Sequence, residues 1–496
     1  MNRRLLHTGG GFVLTFTLAA FQENAMSTPP LNELEQIVGA DHVLTDAAAI
    51  APFCEDWRGR RHGLARAVVR PADVRQVAEI AAWSQRHRVP LVPQGGNTGL
   101  VFGGIPDDSG QAVVVQLGRM NRIREIDTIN AVAIVESGVV LQTLQQRALD
   151  AGLFFPVSLA AEGSCQIGGT IATNAGGTAV LRYGNMRDQV LGLEVVLPDG
   201  RVWNGLRALR KDNTGYDLKH LFIGSEGTLG IVTAAALKLH AAPQARATAL
   251  ASVRDFAAAL RLFQLARSRA ADVLSGCECF TEDCRALVET HAPHVAQPAL
   301  RGGVYVLLQL DAATPEIPLE TILESVLSEG FEQEIVDDAV IARSLAQAEQ
   351  LWALRENITE AQKRAGPSFS HDVSTPISAI PAFVDRSLTA LNAIDTRLRP
   401  IVFGHIGDGN LHFNLLAPPG ADATERQSLH KKVETALYDL VEAFDGSISA
   451  EHGLGELKRD LIEIYKSPFD LELMRGVKRQ FDPSNLMNPG KAVRLV

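Results

Sequence analysis

Three glycine-rich stretches in the first half of this 496-residue chain set the strongest limit on what it can fold into. The first is Pro93-Gln94-Gly95-Gly96-Asn97-Thr98-Gly99. The second spans residues 162–177 and contains Gly163, Gly168, Gly169, Thr173, Asn174, Gly176 and Gly177. The third is Gly224-Ser225-Glu226-Gly227-Thr228-Leu229-Gly230, which enters the apolar run Ile231-Val232. Each alone could be a tight turn at a sheet edge. Backbone stripped of bulky side chains also presents consecutive N–H groups and lets a diphosphate approach closely. Three such stretches in one region favour a large phosphate-bearing ligand. No G-x-G-x-x-G string occurs, so a Rossmann dinucleotide site is not indicated and another fold must hold that ligand.

From about residue 65, short β-branched runs alternate with helical patterns, the arrangement of an α+β or α/β domain. Residues 67–70 read as a strand stopped by Pro71, and Asp73 caps a helix carrying Val74, Val77, Ala78, Ala81 and Ala82 on one face. Further strands are expected at 112–117, 131–136 and 191–197, the last followed by the turn signal Asp199-Gly200. Beyond Leu239 the glycine-rich character fades, which places a domain boundary near residue 241. Strands are expected at 303–310 and 401–416, then a helical stretch from about Ala423 to the tail Asn485-Leu486-Met487-Asn488-Pro489-Gly490-Lys491. The expected division is an extension at 1–29, a first domain at 30–240, a second with an antiparallel sheet at 241–422, and a helical segment at 423–496 that returns to the first domain.

The formal charge of −10 disfavours nucleic acid or anionic lipid as a partner. Five cysteines without a C-x-x-C pair suggest buried thiols rather than disulfides or an iron–sulfur cluster. Arg3 and Arg4 precede an apolar stretch in the order of an export signal, but it is too short to span a bilayer, and Asn24-Ala25-Met26 is a poor cleavage site. A disordered extension and a cytoplasmic compartment are expected, with export left open.

The strongest single constellation is Gly404-His405-Ile406-Gly407-Asp408-Gly409-Asn410-Leu411-His412-Phe413-Asn414. A two-residue turn at Asp408-Gly409 would set His405 directly opposite His412, with Cβ atoms roughly 4.5–5.5 Å apart, close enough to share a metal at about 2.0–2.1 Å from each. Asn414 falls on the same face. Ala450-Glu451-His452-Gly453-Leu454-Gly455 offers a carboxylate as third ligand beside another histidine. The bland alternative is a surface hairpin with incidental histidines; the opposed geometry favours a metal. Two histidines and a carboxylate fit catalytic zinc, with manganese, iron or cobalt open. In Leu351-Trp352-Ala353-Leu354-Arg355-Glu356-Asn357-Ile358-Thr359, helical spacing places Arg355 and Thr359 one turn apart, able to grip a carboxylate, although such an arginine is also often a solvated helix residue.

Together the three glycine-rich stretches resemble the FAD domain of the vanillyl-alcohol oxidase / p-cresol methylhydroxylase type, and the resemblance covers nearly everything from about residue 30 onward. It implies a two-subdomain FAD-binding domain, an α+β substrate domain with an antiparallel sheet, and a C-terminal helical segment. It also implies that Pro93, Gly95, Gly96, Asn97, Thr98, Gly99, Gly163, Gly168, Gly169, Thr173, Asn174, Gly176, Gly177, Glu226, Gly227, Ile231 and Asn488 bind FAD. Asn97 and Thr98 stand where members with covalent flavin often present a histidine, so non-covalent FAD is expected. The hairpin and the 450–455 segment resemble the D-2-hydroxyglutarate, D-lactate and glycolate dehydrogenase branch. That resemblance implies His405, His412 and Glu451 as metal ligands, Asn414 at the substrate, His452 as base, and Arg355 with Thr359 as the grip on the substrate acid.

One departure bears on the substrate. Ser370, in Phe369-Ser370-His371-Asp372-Val373, occupies the position of a lysine expected in the hydroxyglutarate members. Either His371 or another residue compensates, or the substrate is a monocarboxylate. The implied reaction is oxidation of a D-2-hydroxy acid, D-2-hydroxyglutarate first and D-lactate or glycolate as alternatives, with an electron-transfer flavoprotein or quinone as acceptor and a homodimer as the assembly. Readings from other classes are a zinc hydrolase and a non-catalytic flavin-binding module.

Overall fold

Three short β-branched strands and one well-capped helix build the first sheet in the computed structural model, which describes residues 29–495. The extension expected at the N-terminus, with its export-like stretch, lies outside the described residues. Ala67–Val69 and Leu91–Gln94 run parallel to Val113–Gln116 between them, and Val43–Leu44 adds an antiparallel edge. The crossover is the helix Val74–His87. Asp73 caps it by accepting the N–H of Gln76 at 2.9 Å, and Val77, Ile80, Ala81 and Trp83 bury its inner face. A second sheet is antiparallel throughout, in the order Ile123–Asp127, Val132–Glu136, Ile231–Lys238, Val190–Val196, Val202–Gly205. Its last two strands turn at Asp199-Gly200 as the sequence predicts. Val196 and Ile231 share a core with Val69 and Val113, which binds the two sheets together.

The third sheet is antiparallel with eight strands: Asp338–Ile341, Ala245–Val253, Val304–Ala312, Leu274–Thr281, Arg399–His405, Asn410–Leu416 and Ser368–Phe369 in order, with Asp372–Ser374 also pairing to Asn410–Leu416. Both faces are covered. Ala249, Ala251, Val306, Leu308 and Phe413 pack under a layer that includes the helices Phe256–Ala270, Ile380–Ile394 and Ala423–Ala443. On the other face Leu250, Phe280, Tyr305, Leu307 and Phe403 meet Leu345–Glu356 and Ile358–Ala365. The strands Ala245–Val253 and Leu274–Thr281 were not anticipated from the sequence.

The C-terminal tail crosses back to the first sheet. Leu91 N–H donates to Leu486 O and Asn488 N–H to Leu91 O, each at 2.7 Å. From the helix Pro468–Phe481, Lys478 Nζ reaches Thr228 O and Met487 O, each at 2.8 Å. All five cysteines are buried and unpaired, as expected. Among the described residues, no helix is long and apolar enough to cross a membrane.

His371 lies on the face of the third sheet that packs under the helix Ala423–Ala443, beside Tyr438 and His430. Its Nδ1 donates to Phe413 O at 3.1 Å, and its Nε2 has no partner among the described residues. Burial, with His430 adding to it, lowers its pKa from 6.5 to about 3. The unfolded chain therefore takes up this proton at higher pH than the folded one. Stability is complete above 6.5 and declines as the pH falls toward 3, by about 1.4 kcal/mol per pH unit crossed. Melting temperatures of His371→Phe should fall less steeply than wild type over that interval; equal slopes would contradict this account.

Candidate active site

The glycine-rich stretches converge through close backbone contacts. A Cβ on Gly96 would lie 2.1 Å from Ser164 O, and one on Gly177, at φ +146°, 2.2 Å from Ser158 O. Gly224 N–H donates to Ile171 O at 3.0 Å and Glu226 N–H to Ala172 O at 2.8 Å, which locks the third stretch onto the second. Asn488 Nδ2 then donates to Gly103 O at 3.0 Å and Glu226 O at 2.8 Å, so the tail ties the segment following the first stretch to the third. Asn97, Asn174, Glu226 and Asn488 all hold left-handed backbone, with φ of 53°, 51°, 52° and 46°.

This arrangement fits FAD. Gly99 and Gly169 face open space, with no atom within 4 Å of a built Cβ. Gln166 Oε1 and Asn488 Oδ1 are buried acceptors without partners among the described residues. Two residues expected at the cofactor also have close protein neighbours. Gly168 belongs to the helix Ile167–Thr173 and packs on Ser137, where a Cβ would meet Ser137 Cβ at 2.6 Å, and the Ile231 side chain is in the core between the sheets.

The hairpin register differs from the expected one. His405 pairs with Asn410 and Phe403 with His412, so the connection is the four-residue loop 406–409. His405 O accepts from both Asp408 N–H and Gly409 N–H at 3.2 Å, drawing the loop in. The displacement is by an even number of residues, so both histidines keep the same face, diagonal rather than opposed, with ring centroids 5.7 Å apart.

Around His412 the structure assembles Asp372, Glu451 and His452, with one ligand atom from each of the four lying within 4.8 Å of the others. His412 Nε2 is 3.7 Å and His452 Nε2 3.5 Å from Glu451 Oε1, and His452 Nδ1 is 3.5 Å from Asp372 Oδ2. This nitrogen and oxygen donor set suits a divalent cation. His405 stands outside the four. Asp372, whose role the sequence did not reveal, faces His412 across the sheet. Its Oδ2 accepts the N–H groups of Glu451 and His452 at 3.0 Å each, and its Oδ1 accepts Asn410 Nδ2 at 2.8 Å. Burial opposes its charge, but His452, Lys458 and His412 outweigh burial and hold its carboxyl well below the usual range. Burial likewise opposes the charge on His452, yet Asp372 and Glu451 raise its pKa. Burial lowers His412 to about 4.

A second missed carboxylate, Glu278, is paired to His405 in the sheet. Its Oε1 accepts from His405 Nδ1 at 2.6 Å and its Oε2 from Arg355 Nε at 2.9 Å. Burial disfavours charge on His405, but Glu278 prevails and raises it to about 9. Arg355 is buried and lies 4.6 Å from the Phe403 ring centroid, not out in solvent. The helix ends at Glu356 and restarts at Ile358, so Arg355 and Thr359 do not share one uninterrupted turn, and Thr359 is exposed. Asn414 is buried, with Oδ1 accepting His371 N–H at 3.1 Å and Nδ2 donating to Gln362 Oε1 at 2.9 Å.

The cluster meets the cofactor cradle directly: a Cβ on Gly176 would lie 3.2 Å from Glu451 Oε2. Glu226 reaches the same segment, accepting Leu454 N–H at 2.8 Å and Gly455 N–H at 2.7 Å.

Comparison with known proteins agrees with this architecture. Residues 65–205 match the FAD binding domain family and residues 242–492 the family described as FAD linked oxidases, C-terminal domain. The structure of p-cresol methylhydroxylase with substrate bound superposes with a TM-score of 0.73 at 16% identity, covering 94% of this chain and 96% of that one, which establishes the fold. The D-2-hydroxyglutarate dehydrogenase of Xanthomonas citri pv. viticola is 39% identical over 466 residues, 94% of this chain and 97% of that protein. The mitochondrial D-2-hydroxyglutarate dehydrogenase of Bos taurus is 37% identical over 478 residues, 94% of this chain and 84% of that protein. Fold and relatives together define a FAD-dependent oxidoreductase. The chain belongs to the FAD-linked oxidase family, in the branch of the D-2-hydroxyacid dehydrogenases. The hydrolase and non-catalytic readings fall with that membership.

Because Gly96 has no room for a Cβ against Ser164 O, Gly96→Ala should part the first two stretches and release flavin while the chain stays folded. A normal ratio of flavin to protein absorbance in that variant would contradict the cradle described above.

Proposed function

We propose that the enzyme oxidises a D-2-hydroxy acid to the 2-oxo acid, with D-2-hydroxyglutarate as the first candidate and D-lactate or glycolate as alternatives. The observation that carries this reading is the contact of Glu451, within the histidine and carboxylate cluster, with Gly176 of the FAD cradle. Oxidising an alcohol requires removal of the hydroxyl proton and of a hydride from the same carbon, so a proton acceptor and the flavin must meet. Bound FAD supplies the acceptor for the hydride, and a divalent cation supplies Lewis acidity at the hydroxyl. His405, His412 and Glu451 are the proposed ligands for the cation, with zinc the best match and manganese, iron or cobalt open.

His452 takes the hydroxyl proton. Asp372, 3.5 Å from its Nδ1, stabilises the imidazolium that results. Arg355 and Thr359 hold the substrate carboxylate, and Asn414, on the same sheet face as His412, limits how the acid sits. The dicarboxylic substrate is favoured by the D-2-hydroxyglutarate dehydrogenase relatives. The monocarboxylic one is favoured by Ser370, exposed beside the sheet, which offers a hydroxyl but no charge where a second carboxylate would need a cation. Passage of electrons to an electron-transfer flavoprotein or quinone, a homodimeric assembly and a cytoplasmic compartment complete the proposal.

Mixed anaerobically with a panel of 2-hydroxy acids, the protein should lose its visible flavin band with D-isomers and keep it with L-isomers. A panel in which no 2-hydroxy acid bleaches it would sink the proposal. Chelation should abolish turnover and added zinc or manganese restore it; full activity in a verified chelated sample would remove the cation. His452→Ala should slow flavin reduction about 100- to 10,000-fold while retaining FAD and metal, whereas His405→Ala should lose metal. Metal lost from His452→Ala and kept by His405→Ala would instead assign His452 as a ligand.

A further inference from the structure

We infer that Glu278 is a positioning residue that sets the substrate clamp and the hairpin histidine with one carboxylate, through Arg355 and His405. This rests on the proposed function for the roles of those two partners. Glu278 is only 1% exposed, and neighbouring strands pair it in register with His405 so that both side chains share a face. Each of its oxygens has one task. Oε1 receives His405 Nδ1–H at 2.6 Å and Oε2 receives Arg355 Nε–H at 2.9 Å, both as charge-assisted hydrogen bonds.

Each bond decides what its partner can still do. With Nδ1 committed as donor, His405 has only Nε2 left to ligate a cation. With Nε committed and the guanidinium stacked on Phe403, the terminal nitrogens of Arg355 point as a fixed fork, and neither hydrogen-bonds to a described residue. That fork matches the two oxygens of a substrate carboxylate. The surrounding face is built from Leu250, Phe280, Leu307 and Phe403, where an apolar residue at 278 would avoid the penalty of a buried charge. The carboxylate is accounted for by the guanidinium and the imidazole it orients.

The test uses flavin-loaded Glu278→Gln beside wild type, Arg355→Ala and His405→Ala. Glu278→Gln should keep the wild-type flavin spectrum, yet its metal dissociation constant, measured by chelator competition, should rise about 10- to 100-fold. Its KM for a hydroxy acid that bleaches wild type should rise about tenfold in the same sample. Arg355→Ala should reproduce only the KM change and His405→Ala only the metal change. Wild-type metal affinity and KM in folded Glu278→Gln overturn the inference and leave the proposed function standing. Wild-type protein that binds no metal and is bleached by no hydroxy acid overturns both. If Glu278→Gln does not fold, Glu278→Asp, which keeps the charge and draws it back by one methylene, gives the same two readouts.

Discussion

Asp372, from the eight-stranded sheet, and Glu226, from the third glycine-rich stretch, accept hydrogen bonds from the backbone of one short segment, residues 451–455. Burying a carboxylate costs several kcal/mol, and each N–H donated to a charged acceptor offsets about 1.5–3 kcal/mol of that. With two such donors apiece the segment is fixed from both sides, and Glu451 and His452 are carried on it. The two anchors differ electrically. Burial opposes ionisation at both; His452, Lys458 and His412 outweigh it at Asp372, whereas Glu226, served mainly by backbone donors, ends with a raised pKa. Lys458 is buried beside Asp372, with Nζ on Ile448 O at 2.7 Å, and balances charge from behind the cluster.

Sheet geometry explains why the titratable side chains gather where they do. One row across the strands reads Glu278, His405, Asn410, Ser374, and the next reads Phe280, Phe403, His412, Asp372. Rows two residues apart share a face, so four strands deliver carboxylates and imidazoles to one patch while the intervening residues fill the core beneath.

Periodicity and capping carried most of the architecture into view. The Asp73 cap, the turn at Asp199-Gly200 and the helix beginning after Asp422 follow from local rules that tertiary context left alone. The hairpin face was legible although its register was not, because glycine at both 407 and 409 permits two- and four-residue connections alike, and only the neighbouring strands choose between them. Glu278 was missed because its strand, rich in small residues and cysteine, gave little β-branched signal. A lone acid between Cys277 and Cys279 was nevertheless a sign of a buried charge needing partners. Arg355 shows the converse: helical spacing located it, but its burial and its bond to Glu278 depend on strands far away in sequence.

The pairing of Leu91 with Leu486 and Asn488 has a consequence for how the fold is assembled. A strand of the nucleotide-binding lobe waits for a segment far later in the chain before its edge is sealed. Such long-range closure is slow compared with local folding. The cradle is accordingly completed only by that distant segment, and the first lobe on its own would present an unsealed edge beside the pocket.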